Sequence, residues 1–152
     1  KVFTPDSGAS CTVINDASLF EFITEVSPDR QVRVANNQLV SVQLVGAVRL
    51  SLLDEHGKPY DILLQNVLYS PKFSSNLLSI EELYKQHKLT TVFKGKQAAF
   101  ISPTGTRIPF GCDAYRRYQL FAYSLQERNT PELWHRRLCH AGNAAMQRLS
   151  KC

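Results

Sequence analysis

The sequence contains no run of 18 apolar residues, so no membrane-spanning helix is expected. Its N-terminus lacks the charged-then-apolar order of a secretory signal, and it lacks an initiator Met, which suggests a piece of something longer. The four cysteines, at positions 11, 112, 139 and 152, follow no framework spacing, so free intracellular thiols are the expectation. No internal repeat appears at any period of roughly 20 to 50 residues, which argues against a solenoid or propeller.

What is present is enough for a core. A hydrophobic content of 43%, with 20% charged residues, six Tyr and eight Phe in 152 residues, fits one ordinary domain or a domain with a short extension. It argues against disorder. The net charge of +5 is mild but uneven, with Arg116, Arg117, Arg128, Arg136, Arg137, Arg148 and Lys151 crowding the last third. That basic third reads either as a solvated face or as a surface open to nucleic acid.

Most of the first 124 residues read as strands. "QVRVANNQLVSVQLV" alternates apolar and polar residues on both sides of Asn36-Asn37, a pair that tolerates positive φ, and predicts a hairpin. "GAVRLSLLDEHGKPYDILLQNVLY" predicts a second, turning at Asp54 to Pro59. "SPKFSSNLLSIEELYKQHK" then changes period. Ser75 or Asn76 can cap, Glu81 and Glu82 sit early, and Leu77, Ile80, Leu83 and Tyr84 share one side, which predicts a helix of two to three turns. Beyond it, "LTTVFKG", "QAAFISPTG", "TRIPFGC" and "YQLFAYS" are short strands punctuated by Gly and Pro. "LQERNTPELWHRRLCHAGNAAMQRLSKC" differs in kind: Thr130 before Pro131 starts a helical segment. The expected organisation is a mainly β domain over 1–124 and a helical segment over 125–152.

The stretch "KVFTPDSGAS" places one acidic residue, Asp6, in a turn of small residues between β-prone segments. Taken alone it is an ordinary turn. Peptide hydrolysis by carboxylates requires two of them, one ionised to activate water and one protonated to polarise the carbonyl, sharing a proton because like charges at close range cannot both ionise. The sequence has no second Asp-Ser/Thr-Gly. The partner carboxylate would therefore come from another chain, on the axis of a C2 homodimer. Ser7 can hold the loop, Gly8 lets backbone N–H groups approach the carboxylate, and Ala9 leaves room for an opposing copy.

"DSGASCTVINDASLF", "VRVANNQLVSVQLVGAVRL", "NVLYSPKFSSNLLSIEEL" and "LWHRRLCHAG", in this order and spacing, resemble the protease and pre-integrase region of copia-type retrotransposon Gag-Pol polyproteins. The resemblance implies a retropepsin-like closed β-barrel half-site with one short helix after the second hairpin. It implies an aspartic endopeptidase that processes the polyprotein inside a cytoplasmic virus-like particle. Asp6 would be the catalytic aspartate, and Ser7 and Gly8 its supporting turn. Ala35, Asn36, Asn37 and Gln38 would form the flap over a bound peptide, with Asn76, Leu77 and Leu78 anchoring the helix beneath. His135 and His140 would be the first two ligands of a His-His-Cys-Cys zinc site, incomplete where this chain stops, and the proteolytic chemistry itself calls for no cofactor. From another class, the same blocks would suit an inactive protease-like module that assembles or binds nucleic acid ahead of integrase.

Two features depart from that pattern. Pro5 stands where an apolar strand residue is usual, and it removes a backbone donor beside Asp6, which predicts a loosened turn. Only five residues precede Asp6, so a strand that knits the dimer would be shortened.

Overall fold

The computed structural model describes residues 1–26, 29–34 and 37–124. The expected segment over 125–152, with His135 and His140, lies outside the described residues. Within them the chain is mainly β with one short helix, as the residue pattern predicts. In order come β1 (Val2–Asp6), β2 (Val13–Ile14), a 3-10 turn (Ala17–Leu19), β3 (Phe20–Val26), β4 (Gln31–Arg33) and β5 (Leu39–Ser41). There follow β6 (Leu44–Leu53), β7 (Pro59–Tyr69), β8 (Asn76–Ser79), α1 (Ile80–His87), β9 (Thr90–Lys94), β10 (Gln97–Ile101), β11 (Arg107–Cys112), β12 (Tyr118–Phe121) and β13 (Tyr123–Ser124).

Eleven strands form one sheet along the path β13-β6-β7-β2-β8-β1-β12-β11-β10-β9, with β3 also on β6 and the β4–β5 hairpin separate. The path has two ends, and among the described residues no pairing joins them into a ring. Both predicted hairpins are present. In the second, β6 and β7 run antiparallel from Leu44↔Tyr69 to Leu53↔Pro59. A bulge lies beside Gly46, where a Cβ would stand only 2.4 Å from the Phe22 carbonyl oxygen. Glycine is required there because β3 crosses at backbone contact distance.

The helix differs from expectation. It starts at Ile80, capped by Ser79 rather than by Ser75 or Asn76, and Asn76 to Ser79 form strand β8. The physical reason is tertiary: β8 lies between β1, in parallel register from Phe3↔Asn76 to Asp6↔Ser79, and β2, through Val13↔Leu77. Two ladders satisfy more backbone than a helical turn would, so pairing overrides the local helical pattern. Leu77 and Leu78 therefore belong to the sheet, Leu83 carries the buried side of α1, and Tyr84 is 54% exposed. Lys88, in the left-handed region at φ 56°, ends the helix.

Four hairpin turns share one design. In residues 34–38, 54–58, 102–106 and 113–117 the first residue's N–H donates to the fifth residue's carbonyl, and the fourth residue's N–H donates back to the first residue's carbonyl. The fourth residue has positive φ in each: Asn37, Gly57, Gly105 and Arg116. Asp54, Ser102 and Asp113 add side-chain acceptors for the turn's own N–H groups. Val34 has no such acceptor.

One core joins Phe3, Leu50, Leu64, Leu78, Leu83, Phe100, Ile108 and Leu120. A second, smaller cluster of Val13, Val42, Val45 and Leu68 carries half-buried Cys11, Val32 and Phe73 on its margin.

Candidate functional site

Asp6 ends β1, half-buried, where the strand leaves the sheet. Its neighbour across the ladder is Ser79, at the junction of β8 and α1. β1 lies between β8 on one side and β12 on the other, the latter through Val2↔Phe121 and Phe3↔Leu120. Lys1 and Ala122 exchange backbone bonds of 2.7 and 3.0 Å, so the odd residues of β1 direct their backbone groups toward β12. The even residues face β8, as the Val2 carbonyl does in accepting from Asn76 Nδ2 at 3.0 Å. Pro5 is odd, so its missing N–H removes no rung from the β1–β8 ladder that carries Asp6. β12 is the strand beside β1 on the side opposite β8.

The turn folds back onto the carboxylate. Gly8 N–H donates to Asp6 Oδ1 at 2.8 Å, and a Cβ at Gly8 would stand 3.4 Å from that oxygen, at the edge of ordinary contact. Ser7 and Gly8 are exposed and Ala9 half-buried. On its far side the turn is held by Ser79, which is fully buried. Ser79 Oγ donates to the Ala9 carbonyl at 2.6 Å and accepts from Glu82 N–H at 3.2 Å, while Ser79 N–H donates to Thr12 Oγ1 at 3.1 Å. One side chain thus fixes the exit of the Asp6 turn and caps α1. Sequence reasoning placed no functional weight on Ser79, although Ser79-Ile80-Glu81-Glu82 is a Ser-x-x-Glu capping signature that marks it.

Asn76, expected as a helix anchor, is instead a buried clamp between strands. Besides its bond to the Val2 carbonyl, its Oδ1 accepts from Asn15 N–H at 3.0 Å, and Asn15 Nδ2 donates to the Phe73 carbonyl at 2.9 Å.

Of the expected flap residues, Ala35 and Asn36 lie outside the described residues. Asn37 and Gln38 occupy the β4–β5 turn, with Asn37 N–H donating to the Val34 carbonyl at 2.9 Å and Val34 N–H to the Gln38 carbonyl at 3.0 Å. The hairpin is rooted where the Asp6 turn ends. Val32 and Val42 from the hairpin pack on the same small cluster as Cys11 and Val13, which lead out of the turn. Burial there pushes the Cys11 thiol above its ordinary pKa. Cys11 and Cys112 are free thiols, and among the described residues no cluster of three or more His, Cys, Asp or Glu could hold a metal ion.

The described residues also form a cleft of about 660 Å³ away from Asp6, between the Asp54 turn and strands β11 and β12. It includes neither the Asp6 turn nor the β4–β5 hairpin, so it does not serve that carboxylate. A single chain offers one carboxylate at this turn, half of the two that carboxylate-pair chemistry uses.

The family model described as "Pol polyprotein, beta-barrel domain" matches residues 3–88, from β1 through the end of α1 and more than half of the chain. No solved structure matches.

Proposed function

The chain belongs to the Pol polyprotein beta-barrel domain family, a region of retroelement polyproteins, and from that premise we propose that it is one half of an aspartic endopeptidase. In this reading two copies meet about a two-fold axis, Asp6 to Asp6, and cut a Gag-Pol polyprotein of the copia type within its particle. One Asp6 acts as base on the lytic water while the other, protonated, polarises the scissile carbonyl. The β4–β5 hairpins, with Asn37 and Gln38 at their turns, close over the peptide and exclude bulk water. Ser7 and Gly8 hold the turns across the axis.

The observation that carries the reading is the construction around Asp6. Gly8 N–H aims at the carboxylate from one side, and buried Ser79 fixes the turn from the other. An ordinary exposed turn has no need of a fully buried brace. Zinc at His135 and His140 belongs to the part outside the described residues and plays no role in this chemistry.

The test is cleavage of a polyprotein-junction peptide by the purified chain, with pepstatin-like inhibition and Asp6→Asn as controls. Cleavage that disappears with Asp6→Asn is the expected result. Mixing wild type with Asp6→Asn should lower activity as the square of the wild-type fraction, because each site needs both carboxylates. Equal cleavage by the variant, or a linear decline on mixing, would overturn the proposal.

A further inference from the structure

Charge is partitioned along this chain. Residues 1–84 carry six Lys and Arg against ten Asp and Glu, whereas residues 85–117 carry seven against one. The sheet gathers much of the second group at one point. The β9–β10 turn, Lys94 to Gln97, and the β11–β12 turn, Asp113 to Arg117, stand at the same end of the meander, where Gln97 pairs with both Lys94 and Gly111. They are tied together by Tyr118, whose hydroxyl donates to the Gly95 carbonyl at 2.9 Å. Lys94, Lys96, Arg116 and Arg117 therefore share one tip.

The single acid there is used internally. Asp113 accepts from the N–H groups of Tyr115 and Arg117 at 2.8 and 2.9 Å and from Arg117 Nε at 2.9 Å, and its side chain is 15% exposed. Among the described residues, Lys94, Lys96 and Arg116 have no ion-pair partner. Aromatic surface lies among these cations: Tyr115 is 81% exposed with the Arg117 guanidinium 5.5 Å from its ring centre, and Phe93 is 48% exposed against Tyr118. The backbone adds an independent sign. Arg116 sits at φ 62°, in the position that Gly57 and Gly105 fill in the sister turns. Strain accepted to keep a cation points to use of that cation.

We propose that this tip is a docking surface for single-stranded nucleic acid. Cations without partners recognise phosphates, and each phosphate neutralised releases a counterion. Exposed aromatic faces take bases by stacking, which only an unpaired strand offers, since a duplex keeps its base faces occupied. The chemistry selects single strand over duplex and does not distinguish RNA from DNA. The inference is independent of catalysis by Asp6, so Asp6→Asn should bind as wild type does.

The experiment is fluorescence anisotropy with the whole chain and labelled oligonucleotides of about 15 nucleotides, a length at the upper end of such sites. Oligo-dT, oligo-U and a blunt duplex are titrated across a salt series. Single strands should bind more tightly than the duplex. The triple variant Lys94→Ala/Lys96→Ala/Arg116→Ala should bind more weakly, with the log–log salt slope reduced by about 2. Tyr115→Ala should weaken binding roughly 5-fold or more with the slope unchanged. Lys72→Ala, in the connection between β7 and β8 and outside the meander, is the remote variant and should bind as wild type. Wild-type affinity in the triple variant, an equal loss in the remote variant, or duplex bound as tightly as single strand would overturn the proposal. So would displacement by polyglutamate as effective as by the oligonucleotide, which would make the tip a surface for acidic protein.

Discussion

Replacing Ser79 by Ala tests the architecture around Asp6 without touching the carboxylate. The hydroxyl lost is fully buried and makes two bonds, to the Ala9 carbonyl and from Glu82 N–H. Loss of a helix cap costs ~1 kcal/mol. The Ala9 carbonyl, in a half-buried residue that water reaches in part, adds about 1 kcal/mol, the low end for an acceptor left unmade. The sum, about 2 kcal/mol, should lower Tm by roughly 6 to 10 °C for a domain of this size. Urea unfolding followed by far-UV circular dichroism measures it. Thr12→Val removes the acceptor for Ser79 N–H at the same junction. The double variant should then lose less than the two single losses combined, because residues in one hydrogen-bond network couple. A Ser79→Ala protein within about 0.5 kcal/mol of wild type, the usual span of an inert surface change, would refute the claim that this side chain braces the turn.

Three further expectations rest on other parts of the molecule. Gly46→Ala would drive a Cβ into the Phe22 carbonyl at 2.4 Å and the Phe20 ring at 2.8 Å; because one obstacle is backbone, the loss should be ~3 kcal/mol, read as an earlier urea midpoint. The Ser18 hydroxyl, then Lys1, holds the Asp16 carboxyl down at about 2. Its folded pKa lies below the unfolded one, so its contribution is present above about pH 4 and lost as pH falls through about 2; screened at this partly exposed site it is worth ~1 kcal/mol, and Asp16→Asn should flatten the urea midpoint over that window. Arg116→Gly relieves a left-handed residue and should stabilise the fold by about 1 kcal/mol, measured by thermal melting, while removing a cation from the meander tip.

The strands were legible because their signal is local. Alternation on either side of Asn36-Asn37 and the Gly and Pro punctuation after Lys88 place hairpins without knowledge of the sheet. Asn37 takes the positive φ that its residue type permits. The stretch Asn76 to Ser79 was not legible as strand, because Leu77-Leu78 before Ile80-Glu81-Glu82 fits a helical face equally well. What decides it is β1, some 70 residues earlier in the chain, and no local period carries that information. The same distance hid Ser79 as a brace: its partners Ala9 and Thr12 lie in the Asp6 turn, while its sequence neighbours announce only a helix cap. The charge of the meander tip was half legible. Arg116 and Arg117 stood out as part of a basic third, but Lys94 and Lys96 join them only through the β10–β11 pairing and the Tyr118 hydroxyl.

The family match ends at residue 88, and the fold does not. β1, the strand that presents Asp6, takes one of its two neighbours from β12, and β6 takes β13. Phe3 lies in one core with Phe100, Ile108, Phe110 and Leu120, all from beyond the matched region. Burying each such side chain is worth about 1.5 to 3 kcal/mol, so these four supply roughly 6 to 12 kcal/mol. That is comparable with the whole stability of an ordinary domain, about 5 to 15 kcal/mol. A chain cut after residue 88 should therefore not fold, whereas one cut after residue 124 should unfold cooperatively in urea; dispersed amide resonances in the shorter chain would refute this. The consequence reaches the candidate site. In the shorter chain β1 would keep β8 but lose β12, so Asp6 would stand on a strand paired along one side only. A fragment of the matched region that failed to cleave peptide would then report the missing meander rather than the chemistry of its aspartate.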